Sequence, residues 1–250
     1  MGGRLHSVFL RAAAIVVIVE PCEIALADTS LSLYTGSSFT LSSDIHVQQP
    51  ATGTDATFKG VTWDAKPFKN PPYYGIRLSH FFERFPRWGL GLDFTHYKIF
   101  AETDRVVPVS GTFNGMPVNE SAPLNQRVQK FNVTHGVNLI ALNTIYRWSF
   151  LPTESFTQGR LQPYAGVGLV YFLLHPENTV NNKNNNESYQ GSGFGYQVLG
   201  GLHYGLTRNI GLFAETKFSS GEARVDTADQ GRAETTLHTF HLLAGISLGF

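Results

Sequence analysis

Residues 236–250, at the end of the chain, constrain the fold most strongly, because apolar and polar side chains alternate along this segment with a period of two. The apolar positions are Phe240, Leu242, Ala244, Ile246, Leu248 and Phe250. The positions between them, mostly small or polar, are Thr239, His241, Leu243, Gly245, Ser247 and Gly249. A period of two is that of a β-strand whose two faces meet different surroundings. The segment therefore predicts a strand in a sheet with one apolar and one polar face.

Seven further segments have the character of strands, and breaks rich in Gly, Asn and Pro separate them. The eight predicted strands cover residues 31–41, 73–82, 88–100, 131–148, 161–174, 189–205, 209–218 and 236–250. The connections alternate in length, with long polar ones at 42–72, 101–130, 175–188 and 219–235 and shorter ones at 83–87, 149–160 and 206–208. Membrane barrels have short periplasmic turns and long extracellular loops, and the lumen of eight strands is filled by side chains. The sequence thus predicts an all-β fold, an eight-stranded antiparallel transmembrane β-barrel.

The low share of charged residues favours strands whose outer face is not exposed to water. Charged residues make up only 15% of the chain, whereas they approach a quarter in soluble domains. Beyond residue 27 no apolar stretch is long enough for a membrane helix, so a closed barrel is the remaining way to cross a bilayer. A soluble β-sandwich or lipocalin-like barrel would also alternate, but it would turn its charges outward, whereas here they concentrate in the loops and on the glycine-rich face. The formal net charge of zero argues against a nucleic-acid partner.

The first residues have the pattern of a secretory signal peptide. Arg4 and Arg11 precede a short apolar run at 12–19. Ala-Leu-Ala at 25–27 then matches a signal-peptide cleavage site. The predicted division is therefore a cleaved signal over 1–27 and a barrel domain over 28–250. The only cysteine, Cys22, lies within the signal, so the mature domain has neither a disulfide nor a cysteine-based zinc site.

The strand directions predict a concentration of polar residues at the outer end of the barrel. The predicted outer residues are Tyr73, Tyr74, His96, His135, Asn138, His175, Glu215, Lys217, His238 and His241. Histidine can bind a metal or transfer protons near neutral pH. A plainer interpretation is that Arg77, Asp93, Glu215 and Lys217 form a structural salt-bridge network inside the lumen, where opposite charges must pair. His96 lies two residues after Phe94 and therefore on the same face of the strand, which indicates a position on the lipid-facing rim.

Several stretches together resemble a known family. They are Val61-Thr-Trp-Asp-Ala-Lys-Pro-Phe68, Pro71-Pro-Tyr-Tyr-Gly-Ile-Arg77, Gly91-Leu-Asp-Phe-Thr-His-Tyr-Lys98, Thr134-His-Gly-Val-Asn138, Phe213-Ala-Glu-Thr-Lys-Phe218 and Glu234-Thr-Thr-Leu-His-Thr-Phe-His241. The chain resembles the small bacterial outer-membrane β-barrels described as lipid A oxidases, within the eight-stranded outer-membrane barrel superfamily. The resemblance implies oxygen-dependent conversion of the proximal glucosamine of lipid A to an aminogluconate unit, in the outer leaflet. The terminal Phe250 likewise resembles the signal by which the outer-membrane assembly machinery recognises its clients.

For such an activity we hypothesise a site made of polar residues on the predicted strands. The expected catalytic residues are His96, His135, Glu215, His238 and His241, and the expected substrate-binding residues are Tyr73, Tyr74, Arg77 and Asn138. Because the sequence has no flavin or haem motif, the oxidase interpretation implies a divalent metal ion with His and carboxylate ligands.

Two other functional classes stay open. Lipid A deacylase barrels have a Ser two residues after a His and then an Asn, whereas here Gly136, Val137 and Asn138 follow His135, so the nucleophile is missing. A structural or adhesive barrel without catalysis is the other alternative, because a fold alone does not determine function.

Overall fold

The structure is a computed structural model that describes residues 28–250, so the predicted signal peptide and Cys22 lie outside the described residues. Eight long strands form a ring in which each strand pairs in antiparallel fashion with two neighbours. They are β1 (Thr29–Thr40), β5 (Tyr74–Phe81), β6 (Trp88–Ala101), β9 (Val128–Arg147), β10 (Leu161–Leu174), β13 (Gln190–Gly205), β14 (Ile210–Asp226) and β15 (Arg232–Gly249). The pairing of β1 with β15 closes the ring. The predicted eight-stranded barrel is therefore confirmed, as is each of its eight strands.

The outward face of the ring is an exposed apolar belt. Leu92 and Leu142 are each 56% exposed, and Leu242 is 70% exposed. Other members of the belt are Leu33, Ile76, Leu78, Leu90, Ile140, Val167, Leu169, Val198, Leu202, Leu212 and Ile246. Since exposure of an apolar surface of this extent to water is unfavourable, the belt faces lipid and the protein spans the bacterial outer membrane.

Aromatic side chains border this belt. At the end with the short turns, Trp88, Tyr146 and Trp148 pack edge to face on the outside, with ring centroids about 5 Å apart. At the other end, Tyr171 packs against Phe194 with a centroid distance of 5.3 Å. Because short turns are periplasmic in such barrels, Asp28 and Phe250 lie on the periplasmic side and the long connections lie outside the cell.

The long connections fold into a second layer instead of remaining open loops. Seven shorter strands lie within them: β2 (Ser43–Gln49), β3 (Thr54–Val61), β4 (Trp63–Asp64), β7 (Val106–Phe113), β8 (Met116–Pro123), β11 (Glu177–Val180) and β12 (Lys183–Asn184). The order β15-β2-β3-β7-β8 continues the barrel sheet outward. Buried side chains such as Ile45, Phe58, Val109 and Phe131 give this layer an apolar core. The sequence predicted the long polar connections but not the short strands within them, because each short hairpin buries only a few side chains of a mostly polar segment.

Asn138 and Asn143 of β9 lie an odd number of residues apart in a stretch of regular register, so they face opposite sides of the barrel wall. The register of β6 and β9 passes from Tyr97 opposite Val137 to Ile99 opposite Val133, so β9 contains extra residues in a bulge. Below the bulge, Asn143 faces the lumen and accepts a hydrogen bond of 2.7 Å from Gln197. Asn138 faces outward, on the same side as Ile140 and Leu142. Among residues 28–250, no helix is long and apolar enough to cross a membrane.

Candidate functional site

Four charged side chains meet in the centre of the lumen. Arg77 on β5 donates two hydrogen bonds to Glu215 on β14, of 2.6 and 2.7 Å, and one of 2.9 Å to Asp93 on β6. Lys217 on β14 donates to the same Asp93 oxygen at 2.8 Å. The four groups are buried and their formal charges cancel. This is the structural salt-bridge network that the sequence predicted, and it tolerates burial because each charge has a partner.

Neutral hydroxyl groups complete the network. Tyr34 donates to Asp93 at 2.6 Å, and Tyr164 donates to Glu215 at 2.8 Å. Thr95 lies within hydrogen-bond distance of both Tyr34 and Lys217. With these contacts the carboxylates of the lumen are committed to partners within the barrel wall, and Glu215 is not available as a free base.

His241 lies in the lumen, outward of the charge network. Its Nδ1 atom is 3.1 Å from the hydroxyl of Tyr73, and its Nε2 atom is 2.9 Å from the hydroxyl of Ser219. The ring of Tyr97 packs edge to face against the imidazole at 5.0 Å. Both ring nitrogens of His241 therefore have partners, and the residue is 2% exposed. Neither nitrogen of His241 therefore has a free position for a substrate or a metal ion in this arrangement.

A cavity of about 440 Å³ occupies the periplasmic half of the lumen, below the charge network. Arg77 and Tyr164 line its inner end, and Arg147 lines the side near the periplasm. Arg147 is itself paired with Asp28, one of whose oxygens lies 3.0 Å away. The cavity is on the opposite side of the network from the outer leaflet, and Arg77 is the one predicted site residue in its lining.

Three predicted residues do meet, on the outside of the barrel at its outer rim. His96 on β6 is paired with Tyr74 on β5 and with Asn138 on β9. The imidazole stacks on the Tyr74 ring at 4.8 Å, and its Nδ1 atom is 2.9 Å from Asn138 Oδ1. Tyr74 is 43% exposed and covers the histidine, which is 3% exposed.

The hydrogen bonds of Asn138 determine the tautomer of His96. The amide nitrogen of Asn138 donates to the carbonyl oxygens of Gly136 and Leu173, at 3.3 and 3.2 Å. This orientation directs Oδ1, an acceptor only, toward the imidazole, so Nδ1 of His96 carries the proton. The Nε2 atom then bears the free lone pair, and it has no hydrogen-bond partner among residues 28–250. His96 is thus a neutral imidazole whose basic nitrogen, Nε2, is held in a fixed orientation.

The bulge of β9 contributes a second group to this rim. Gly136 has φ +115°, and a Cβ atom there would lie 2.3 Å from the His96 ring, so only glycine fits. The preceding His135 projects outward, with its ring 4.7 Å from that of His175. Tyr189 packs edge to face against His175, also at 4.7 Å. The bulge therefore places two further imidazoles beside the His96–Asn138 pair.

Glu177 on β11 connects this group to β9. Its carboxylate accepts hydrogen bonds from Lys130 and Thr134 and lies 3.4 Å from Nδ1 of His135. Burial alone would raise the pKa of Glu177, but the hydrogen bonds from Lys130 and Thr134, with the charge of Lys130, hold that pKa below its ordinary value. Glu177 was not predicted, because a strand of four residues gives too short a pattern to place it.

His238 lies away from both groups. It faces outward on β15, where its Nδ1 atom is 2.9 Å from the Ser220 hydroxyl and its ring stacks on Phe218. The predicted site residues therefore form three sets. Arg77, Glu215, Tyr73 and His241 lie in the lumen, Tyr74, His96, His135 and Asn138 lie at the β5–β6–β9 rim, and His238 lies at the β14–β15 rim.

The expected metal ion finds no ligand set in the part of the chain that the structure describes. No three His, Cys, Asp or Glu side chains converge there in a way that could hold a metal. The carboxylates nearest to a predicted histidine are already paired, as Glu177 is with Lys130. The described residues thus do not fit the divalent metal that the oxidase resemblance implies.

Neither a protein-family model nor a curated protein sequence matches the chain. Among solved structures, Neisserial surface protein A is 16% identical with a TM-score of 0.42, over 89% of this chain and 97% of that one. The outer membrane protein OprG from Pseudomonas aeruginosa is 13% identical with a TM-score of 0.47, over 89% and 97%. The outer membrane protease OmpT from Escherichia coli is 13% identical with a TM-score of 0.45, over 92% and 99%. These similarities concern the barrel fold alone.

Proposed function

We propose that this outer-membrane barrel acts on lipid A at its outer rim, and that it oxidises the proximal glucosamine there. The observation that supports the proposal is the free Nε2 lone pair of His96, oriented by Asn138 on the lipid-facing side of the wall. A base within the lumen would be separated from lipid by the barrel wall. His96 instead lies on the face of β6 that the apolar belt shares.

The height of His96 in the membrane agrees with this substrate. A strand tilted by about 40° advances roughly 2.5 Å along the barrel axis per residue, so His96 lies roughly 20 Å beyond the periplasmic Trp88. The apolar band of such barrels is about 25 Å tall. His96 is therefore near the outer edge of the hydrocarbon, where the glucosamine units of lipid A meet their acyl chains.

The chemistry expected of the residues is proton removal. Oxidation of the sugar at its anomeric carbon breaks the O–H and C–H bonds there and removes two protons and two electrons. Dioxygen, the acceptor that the resemblance implies, takes them up and leaves as hydrogen peroxide, and addition of water to the resulting lactone gives the aminogluconate with a net gain of one oxygen atom. Nε2 of His96 is suited to accept the hydroxyl proton once Tyr74 moves aside, because a neutral imidazole is a base near neutral pH. No step is assigned to a metal ion, since the described residues offer no ligand set.

The test is lipid A mass spectrometry in a Gram-negative host with and without the protein. We expect an oxygen-dependent gain of one oxygen atom with the wild type and none with His96→Gln. His238→Gln is the matched control, because His238 is also outward-facing but lies at the β14–β15 rim. Full conversion by His96→Gln would disprove this site, and loss of an acyl chain would identify a deacylase instead.

A non-catalytic surface barrel is the second candidate. It is favoured by the folded outer layer, in which β2, β3, β7 and β8 extend the sheet beyond the membrane. Such a layer presents a fixed surface to molecules outside the cell. Unchanged lipid A in cells that contain the wild-type barrel in their outer membrane would select this candidate.

A further inference from the structure

A short segment leaves the barrel wall between β4 and β5. We call residues 65–72 the rim loop. Strand β4 pairs with the end of β6, Trp63 opposite Ala101, and β5 pairs with β6 from Tyr74 onward, so the rim loop bridges the gap between the two pairings. A turn from Lys66 to Lys69 and a hydrogen bond of 2.8 Å from the Tyr73 amide to the Pro67 carbonyl give the loop a defined shape.

Lys98 attaches the rim loop to the outside of the barrel. Its side chain faces outward, like those of Phe94 and His96, and its Nζ atom donates to the carbonyl oxygens of Lys69 and Asn70 at 3.3 and 2.7 Å. Lys98 lies roughly 25 Å beyond Trp88 along the barrel axis. The rim loop is therefore at the height of the lipid headgroups in the outer leaflet, next to His96.

The tip of the rim loop is a fully projecting aromatic residue. Phe68 is 88% exposed, the highest exposure among the large apolar residues of the described chain. In water this exposure would be unfavourable, because a Phe side chain is more stable buried away from water than exposed to it. At the membrane interface an aromatic ring reaches the acyl chains below the headgroups. The position of Phe68 thus indicates contact with lipid.

Lys66 and Lys69 lie on either side of Phe68 in the sequence of the rim loop and supply positive charge. The ammonium groups of Lys66 and Lys69 lie 4.7 and 4.8 Å from the centre of the Phe100 ring, on the outer side of β6. Lys66 is also 3.6 Å from Asp64, an exposed pair of small energetic value. Lys69 forms no ion pair within residues 28–250. An aromatic residue between two cations complements an amphiphile with an anionic headgroup.

We propose that the rim loop is a docking site for an anionic glycolipid of the outer leaflet. Phe68 inserts among the acyl chains, and Lys66 and Lys69 bind phosphate or carboxylate groups on the sugar headgroup. The choice of lipid A as that glycolipid rests on the proposed function. The docking site then presents the sugar to His96, which is two residues from Lys98 on the same face of β6.

The test is titration of the purified barrel with lipid A in a neutral detergent, followed by native mass spectrometry. We expect Lys66→Gln combined with Lys69→Gln to weaken binding about 10- to 30-fold, from the contribution of a lysine near an anionic surface. Lys59→Gln combined with Lys183→Gln is the matched control, since both lysines are exposed in the extracellular layer. Equal affinity of the rim-loop variant and the wild type would overturn the proposal.

Two probes identify the anionic group. Lipid A without phosphates and lipid A with a uronic acid in place of phosphate are compared with the bisphosphorylated form. We expect the neutral form to bind weakly and to be indifferent to the lysine substitutions. A neutral form that binds as well as the charged ones would also overturn the role of the lysines.

The insertion of Phe68 is tested separately with Phe68→Trp in bilayers that contain brominated acyl chains. We expect more fluorescence quenching than in the wild type, whereas Met116→Trp, an exposed position in the extracellular layer, gains none. No additional quenching at position 68 would disprove insertion. If the wild type leaves lipid A unchanged but the lysine variant still loses affinity, the oxidase proposal fails and the docking site stands.

Discussion

His96 and Asn138 occupy directly opposed positions on β6 and β9 and share a hydrogen bond of 2.9 Å on the outside of the barrel. On the same strand, Asp93 and Thr95 face inward and belong to the charge network of the lumen. One strand thus contributes to a structural network on one face and to a candidate base on the other. The barrel wall separates the two, so substitutions on the two faces have separable effects.

Asn138 is predicted to act as a positioning residue. Asn138→Leu removes the acceptor that keeps the proton on Nδ1 of His96, and we expect lipid A oxidation to fall by about 100-fold, within the range for general base catalysis. Asn138→Asp preserves an acceptor and should retain most of the rate, with a shifted pH profile. Conversion by the Leu variant at the wild-type rate and with the wild-type pH profile would contradict the assignment.

The charge network is predicted to stabilise the barrel through mutual pairing. Arg77→Met leaves Asp93 and Glu215 with only Lys217, and we expect a loss of about 3–5 kcal/mol in the free energy of unfolding. Adding Glu215→Leu restores the balance of charge and should recover part of this loss. Urea unfolding in detergent micelles measures both variants. If the double variant is less stable than Arg77→Met, the pairing account is wrong.

Because the apolar belt faces lipid, we expect a charged side chain to destabilise the barrel more within the belt than outside it. Leu92→Arg puts a cation on the lipid-facing surface near the middle of β6, where we expect about 2–4 kcal/mol of destabilisation. Val106→Arg, at an exposed position in the extracellular layer, should cost much less. Folding into lipid vesicles, measured over a urea series, compares the two. Equal costs, or a native barrel that stays monomeric without detergent, would refute the membrane assignment.

We expect the contact that Glu177 makes between β11 and β9 to weaken in acid. Because its folded pKa lies below the unfolded value of about 4.3, its contribution is complete above that pH and is lost as the pH falls through the folded pKa. Hydrogen exchange at residues 130–136 and 177–180 should therefore accelerate under acid conditions, beyond the intrinsic change in rate. Glu177→Gln should show faster exchange at neutral pH and little further change in acid. Identical pH profiles for the two proteins would exclude this role.

The sequence predicted the barrel because a period of two leaves only two faces for each residue. Leu90, Leu92 and Phe94 had to share one environment and Gly89, Gly91 and Asp93 the other, whatever the neighbours of the strand. The same parity placed His96 on the outside. It also identified the lumen charges, since a narrow interior must pair them.

The alternation of side chains along single strands could not show which candidate residues lie together in one site. Placing His96 beside Asn138, and apart from His238, requires the register of neighbouring strands. The folding of the extracellular connections also escaped prediction, because their hairpins are short and bury few residues each. Side-chain alternation is a property of a single strand and can be read along the chain. Register, bulges and the position of the rim loop arise from pairing between distant segments, and only the tertiary structure determines which segments meet.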